Sequence, residues 1–286
     1  MPESFALVRL RLLFAYNGGC FRGVAPQPNT HTVGDAIRDA LKRVLRQPEL
    51  PFLVVAGRTD AGVHAWGQVA HVDVRVREDF GRVELDRLIR SLRSMLGPDI
   101  VVRTVDIVEP AFDARRSADW RRYRYTILNR SEPSPFLAAT TWHIPDPLDV
   151  ASMRLACDPL LGDHDFTSFC RAATDRPHAS LVRYIHSATW STVHAEEVAL
   201  LRFEIVANAF CRQMVRSIVG FMAEVGTGKR HAGELTGVLG AKSRTGGSPI
   251  APAHGLCLWE VGYPADDGVR DGAASTALRD LALTTS

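Results

Sequence analysis

The 286-residue chain lacks any apolar run approaching the ~20 residues that cross a bilayer; even residues 217–223 are bounded by Arg216 and Glu224. No membrane span is expected. Cysteine is scarce: Cys20, Cys157, Cys170, Cys211 and Cys257 make an odd set with no C-x-x-C pair and no zinc-ligand spacing. That excludes a small disulfide scaffold and predicts thiols in packing roles within a reducing compartment. The opening MPESFALVRLRLLFAY carries Glu3, Arg9 and Arg11 where a secretory leader needs an unbroken apolar stretch, so a cytoplasmic protein is expected. Metal-ligand patterns are missing too: His64 and His71 are not a helical pair, and His164 with Asp163 and Asp165 has no third ligand at a recognisable interval. Lysine is nearly absent. Only Lys42, Lys229 and Lys242 contribute to the 34 basic residues, and the rest are arginine, whose planar fork grips phosphate at two points. A G+C-rich genome would leave the same bias, and a net charge of +2 gives no strong overall pull on nucleic acid.

What is present is a globular composition, 46% apolar and 23% charged, with clear periodicity. Residues 8–15 alternate as a strand and end at Tyr16-Asn17-Gly18-Gly19. From Thr32 the period lengthens. Ile37, Ala40, Leu41, Val44 and Leu45 share a helical face, Thr32 and Asp35 are spaced as a capping box, and Pro48 is a stop. Short β-rich runs at 53–56 and 68–76 follow, then a helical stripe of Leu85, Leu88, Ile89, Leu92 and Leu96, then a strand at 100–108. The order β-α-β-β-α-β is that of a ferredoxin-like (RRM-like) unit. The second half repeats it less tidily: strand 122–128, helix 150–161, a polar turn-like stretch at 164–177, strands 182–190 and 198–206, a helix capped by Asn208, and a closing strand at 255–262. The sequence thus predicts an α+β protein of two such units, 1–110 and 111–263, whose antiparallel sheets join and leave a central cleft. A flexible tail is expected at 264–286. Residues 226–230, GTGKR, lack the phosphate-loop pattern and predict a helix stop and a turn.

Chemistry concentrates in AGRTDAGVH, residues 56–64. Two glycines, Thr59 and an acid make a tight loop between strands, with Arg58 flanking Asp60. A carboxylate beside a guanidinium stays ionised, which suits a nucleophile or base better than an acid that must hold its proton at neutral pH. An aspartate capping its own turn, with Arg58 as a surface partner, fits the same residue types. Arg212 and Arg216 stand at i and i+4 on the predicted helix and project from one face, toward phosphate or toward the carboxylate, and for Arg212 a solvated helix face fits as well. Arg115, Arg116, Arg121, Arg122 and Arg124 interleave with aromatics, as residues that track an RNA backbone do and as a solvated strand edge also does. Tyr123 and Tyr125 have the same strand parity, which leaves open which ring faces the cleft.

The segment AGRTDAGVHAWGQVAHV resembles the active-site motif of the tRNA pseudouridine synthase A family. RRYRYTI (121–127), GDHDFTSF (162–169), NAFCRQMVRSIVG (208–220) and GLCL (255–258) resemble that family's later motifs in order, so the likeness spans residues 8–263. It implies the pseudouridine synthase fold, a homodimer, no cofactor and no metal. It also implies isomerisation of uridines at positions 38, 39 and 40 in the anticodon stem-loop of tRNA. By resemblance Asp60 is the catalytic aspartate, Arg58 pairs with it and helps hold the flipped nucleotide, Tyr123 packs on the target base, and Arg216 belongs to the active-site wall. Arg115, Arg116, Arg121, Arg122, Arg124 and Arg212 are then candidate contacts to the tRNA backbone.

That reaction breaks the N1–C1′ bond, turns the base and joins C5 to C1′, with no redox change. An ionised aspartate serves either as nucleophile at C1′ or as base toward a ribose proton, and the base must first leave its stack. Two departures stand out: Asn17 replaces the usual aspartate, and Val24 replaces a tryptophan, which is expected to remove aromatic surface from an RNA-facing loop. Two other readings compete. A non-catalytic RNA-binding or chaperone protein on this scaffold gives Asp60 and Tyr123 no purpose; a synthase acting on another RNA or a free nucleoside keeps the chemistry and changes the substrate.

Overall fold

A computed structural model describes residues 4–171, 180–195, 198–244 and 249–264; the expected tail beyond Pro264 and part of the polar stretch at 164–177 lie outside the described residues. The first half runs β1 (Phe5–Tyr16), α1 (Val33–Val44), β2 (Leu53–Val55), β3 (His64–Arg77), α2 (Arg82–Leu96) and β4 (Ile100–Val108). The second runs β5 (Trp120–Asn129), β6 (Trp142–Ile144), α3 (Val150–Leu155), β7 (Gly162–Asp165), β8 (Val182–Ala195), β9 (Val198–Ala207), α4 (Met214–Gly226), α5 (Glu234–Ala241) and β10 (Leu256–Gly262). All ten strands form one mixed sheet, ordered β4-β1-β3-β10-β5-β9-β8-β7, with β2 on β3 and β6 on β5.

Alternation decides which face of each strand is covered. In β1, Leu10, Leu12, Phe14 and Tyr16 are buried beneath the helices, while Arg9, Arg11 and Leu13 point to the other face. Helix α1 lays Val33, Ile37, Ala40 and Leu41 on that covered face, and its start is fixed by Thr32, whose Oγ1 accepts from the Asp35 N–H at 3.1 Å. Helix α4 is buried almost all round, which its nearly continuous apolar sequence requires. It begins at Met214, six residues beyond the expected Asn208 cap, because Gln213 holds a left-handed φ of 65°. Helix α3 stops at Leu155 instead of reaching 161, and a single 3-10 turn containing Pro159 follows. Residues 226–230 end α4 and turn, as the sequence predicts.

The two halves join along a parallel seam. The first residues of β3 pair with β10, His64 with Cys257 and Ala65 with Leu258, while the middle of the same strand pairs with β2. The loop between β2 and β3, which carries Asp60, therefore leaves the sheet where the halves meet. Among the described residues, no helix is long and apolar enough to cross a membrane. Cys170 and Cys211 are bridged, with Cα atoms 5.7 Å apart, and Cys20 is exposed, so packing thiols are confined to Cys157 and Cys257. Burial pushes both of those thiols up to about 12.

Candidate active site

The Asp60 loop is shaped by its backbone. Ala56 N–H donates to the Val69 carbonyl as a last ladder bond from β3, Val63 N–H closes a turn onto the Asp60 carbonyl at 3.2 Å, and Val24 N–H reaches the Thr59 carbonyl at 3.4 Å. Val24 is fully buried behind this loop.

Two arginines meet the Asp60 carboxylate from the segment entering α4. Arg216 Nη1 donates to Asp60 Oδ2 at 3.3 Å, and Arg212 Nε lies 3.9 Å from Oδ1. Arg212 precedes the helix, so the expected i, i+4 helical pair is replaced by one residue from the loop and one from the first turn. Arg216 is held by a second bond, Nε to the Ala251 carbonyl at 2.7 Å. Residues 249–251 lie so close against α4 that a Cβ on Gly220 would fall 1.7 Å from the Pro249 carbonyl oxygen, which fixes glycine there. Arg58 is exposed, and the cations on Asp60 are Arg216 and Arg212 in its place.

Tyr123 and Tyr125 separate cleanly. Tyr125 is fully buried and donates its hydroxyl to the Pro252 carbonyl at 2.9 Å. Tyr123 lies near enough to Asp60 that this carboxylate, after burial and Tyr16, helps push the phenol above its ordinary value. Its ring takes an edge contact from Phe210, centroids 4.9 Å apart. The sequence reading singled out neither Phe210 nor the Ala251 carbonyl for the site; Phe210 lies inside the NAFCRQM motif, whereas the Ala251 carbonyl has no side-chain signal.

The arginine cluster of β5 divides. Arg121 is buried, and both terminal nitrogens of its guanidinium donate to backbone carbonyls, Nη1 to Ala118 and Asn208 and Nη2 to Ala56 and Arg115, which turns its fork away from phosphate. It is a clasp between the start of the Asp60 loop and the approach to α4. Arg122 and Arg124 alternate to the opposite face of the sheet from Tyr123, where both bond Glu204, and Arg124 also stacks 3.9 Å over Trp259. The expectation that these three line an RNA path beside Tyr123 is therefore corrected. Arg115 and Arg116 remain exposed, their backbone N–H groups both donating to Asp113 Oδ1.

A family model described as tRNA pseudouridine synthase matches residues 156–264. Proteins called tRNA pseudouridine synthase A align over nearly the whole chain: the one from Corynebacterium glutamicum is 41% identical, covering 96% of this chain and 96% of its own. The chain belongs to the tRNA pseudouridine synthase A family. Its relative in Leifsonia xyli is 40% identical over 90% of this chain and 92% of its own, and that in Bacillus pumilus 37% over 90% and 99%. A Cbf5-Nop10-Gar1 complex is a far more distant likeness, at 11% identity and a TM-score of 0.32. Within the family the GRTD loop, Tyr123 and the Arg216 segment of this chain converge at one seam, although they are separated by up to 156 positions in sequence.

Proposed function

We propose that this protein isomerises uridine to pseudouridine in the anticodon stem-loop of tRNA, at positions 38, 39 and 40. The observation that carries the reading is the Arg216–Asp60 contact at the junction of the two half-sheets, beside Tyr123. Asp60 attacks C1′ or removes a ribose proton, and either route needs the ionised carboxylate that Arg216 orients. Tyr123 offers the flipped uracil its ring, with Phe210 bracing it from the edge. Arg58, exposed next to Asp60, meets the nucleotide instead of the carboxylate. Arg212, Arg115 and Arg116 supply charge for the tRNA backbone.

The architecture is read as two ferredoxin-like units, 1–110 and 111–263. Support comes from strand order: β4-β1-β3-β2 in the first half is matched by β10-β5-β9-β8 in the second. A homodimer is proposed, as the family resemblance implies and because a closed two-fold pair is the commonest assembly of soluble proteins. A cytoplasmic location accords with a tRNA substrate.

The test is incubation of the purified protein with unmodified tRNA, followed by chemical mapping of pseudouridine. Product in the anticodon stem-loop is expected. Binding without product would make this an RNA-binding protein, and product elsewhere would move the substrate.

A further inference from the structure

Strand β2 ends at Val55, yet its register continues. Leu53 pairs with Val72, Val54 with His71 and Val55 with Ala70, so Gly57 falls opposite Gln68. There the backbone leaves the sheet, and the Gln68 side chain takes over the pairing. Its Nε2 donates to the Gly57 carbonyl at 2.8 Å, and its Oε1 accepts from the Gly57 N–H at 3.3 Å. The carboxamide copies a peptide group, the one side-chain chemistry that donates and accepts in this geometry. The same Nε2 approaches Tyr16 Oη at 3.4 Å, and Tyr16 Oη lies 2.7 Å from Thr59 Oγ1. Gln68 is completely buried, with Tyr16 and Thr59 at 5% and 8% exposure.

One amide thus holds both neighbours of Arg58, directly at Gly57 and through Tyr16 at Thr59, the residue before Asp60. We infer that Gln68 is a positioning residue for the isomerisation, fixing through Gly57, Tyr16 and Thr59 the point from which Asp60 is presented to the nucleotide. This rests on the function proposed above. Gly57 also lies against Tyr123: a Cβ there would sit 3.4 Å from the Tyr123 hydroxyl, so a shift at Gly57 changes the spacing between Asp60 and Tyr123.

The experiment compares single-turnover pseudouridine formation at saturating tRNA, tRNA dissociation constant and melting temperature for wild type, Gln68→Met, Tyr16→Phe and Ser168→Ala. Gln68→Met keeps length and loses the pairing. Tyr16→Phe keeps the Gly57 clamp and removes the link to Thr59. Ser168→Ala deletes a buried hydroxyl that donates to the Val238 carbonyl and accepts from the Ser243 N–H, with no bond to Gly57, Thr59 or Asp60, as a control for stability alone. Since misplacement by about 1 Å lowers rates ~100-fold, Gln68→Met is expected to lose about 10- to 100-fold in rate, with dissociation constant changed less than about 3-fold. Tyr16→Phe is expected to lose severalfold, and Ser168→Ala to melt earlier at an unchanged rate. A full rate in folded Gln68→Met, or an equal loss in Ser168→Ala, overturns the assignment. Should Gln68→Met not fold, an unchanged rate in Tyr16→Phe overturns it. A wild-type protein that makes no product refutes the proposed function instead, and this role with it.

Discussion

Arg216 spends its guanidinium in two directions, Nη1 to Asp60 Oδ2 at 3.3 Å and Nε to the Ala251 carbonyl at 2.7 Å. The carbonyl bond aims the fork and the other arm meets the carboxylate, so the two bonds together fix where Asp60 points. A lysine carries the charge but, as a single ammonium on a flexible stem, lacks the rigid fork. Arg216→Lys is therefore expected to lower the single-turnover rate about 100-fold while changing tRNA affinity little. A near-wild-type rate in Arg216→Lys would mean that charge alone suffices.

Asp60→Asn keeps size and hydrogen-bonding capacity and removes the charge. The carboxylate is only partly buried, and Arg216 retains the Ala251 carbonyl, so the fold has other supports. Pseudouridine formation is expected to vanish, with tRNA binding and melting temperature close to wild type. Retained single-turnover activity would reduce Asp60 to a turn residue.

Strong periodicity made most of the architecture legible: residues 100–108 are read as the strand observed, and the Thr32 cap and both N-terminal helices lie within three residues of their observed starts. What escaped was short or polar. Strand β6 has three residues, β7 is GDHD with no apolar alternation, and α5 is an eight-residue helix interrupted by Gly237 and Gly240. Asp60 was legible because its loop is dense in turn residues around one acid. Arg121 is illegible in the sequence for a physical reason. Its parity matches Tyr123 and Tyr125, which places it inside, but a buried arginine is rare unless its donors are met, and two of the four carbonyls that meet them, those of Ala56 and Asn208, lie 65 and 87 positions away in sequence. The partner of Asp60 likewise stands far along the chain, at Arg216, because the loop turns Arg58 outward.

His64 ties the seam together as a neutral ring. Its Nδ1 accepts from the Gly18 N–H at 3.0 Å, and Nε2 faces the Ala139 and His254 carbonyls at 3.2 and 3.0 Å. Burial lowers its pKa from the ordinary 6.5, and burial lowers that of His71 as well. The unfolded chain therefore takes up protons near pH 6.5 that the native state refuses. The stabilisation is complete above that pH and is lost as pH falls through the lower native values. Melting temperature is expected to decline from pH 7 to 5, with a shallower slope in His64→Gln, which cannot titrate; an unchanged slope would count against it.

The bridge from Cys170 to Cys211 closes a separation of 41 residues and pins the segment that carries Phe210 and Arg212. Arg171 N–H donates to the Arg212 carbonyl at 3.0 Å and fastens the same place without sulfur. Reduction, or Cys170→Ser, is expected to reduce stability by roughly 2–4 kcal/mol, since the unfolded chain regains the closed loop's freedom. Denaturant unfolding with and without reductant measures this. Equal midpoints would mean the two cysteines contribute no cross-link in solution.

The electrostatic share of tRNA binding follows from which arginines remain accessible. Arg121 is committed to carbonyls, and Arg122 and Arg124 to Glu204 on the far face of the sheet, whereas Arg58, Arg115, Arg116 and Arg212 are exposed. If Arg115, Arg116 and Arg212 neutralise phosphates, log affinity should fall against log salt with a slope of about −2 to −3, taking the single-strand and duplex coefficients as bounds. Reversal of Arg115 and Arg116 to glutamate should weaken binding to many RNAs and flatten the slope by about 2, leaving the saturated rate nearly unchanged. Reversal of Arg58 should act the other way, lowering the rate at saturation, because it places a second negative charge beside Asp60 and the flipped nucleotide. Reversal of Arg122 and Arg124 should do neither. The decisive comparison is single-turnover rate and dissociation constant for the three double or single variants at two salt concentrations. Normal binding by the Arg115/Arg116 variant, or an effect of Arg58 on affinity alone, would break the division between backbone attraction and site chemistry.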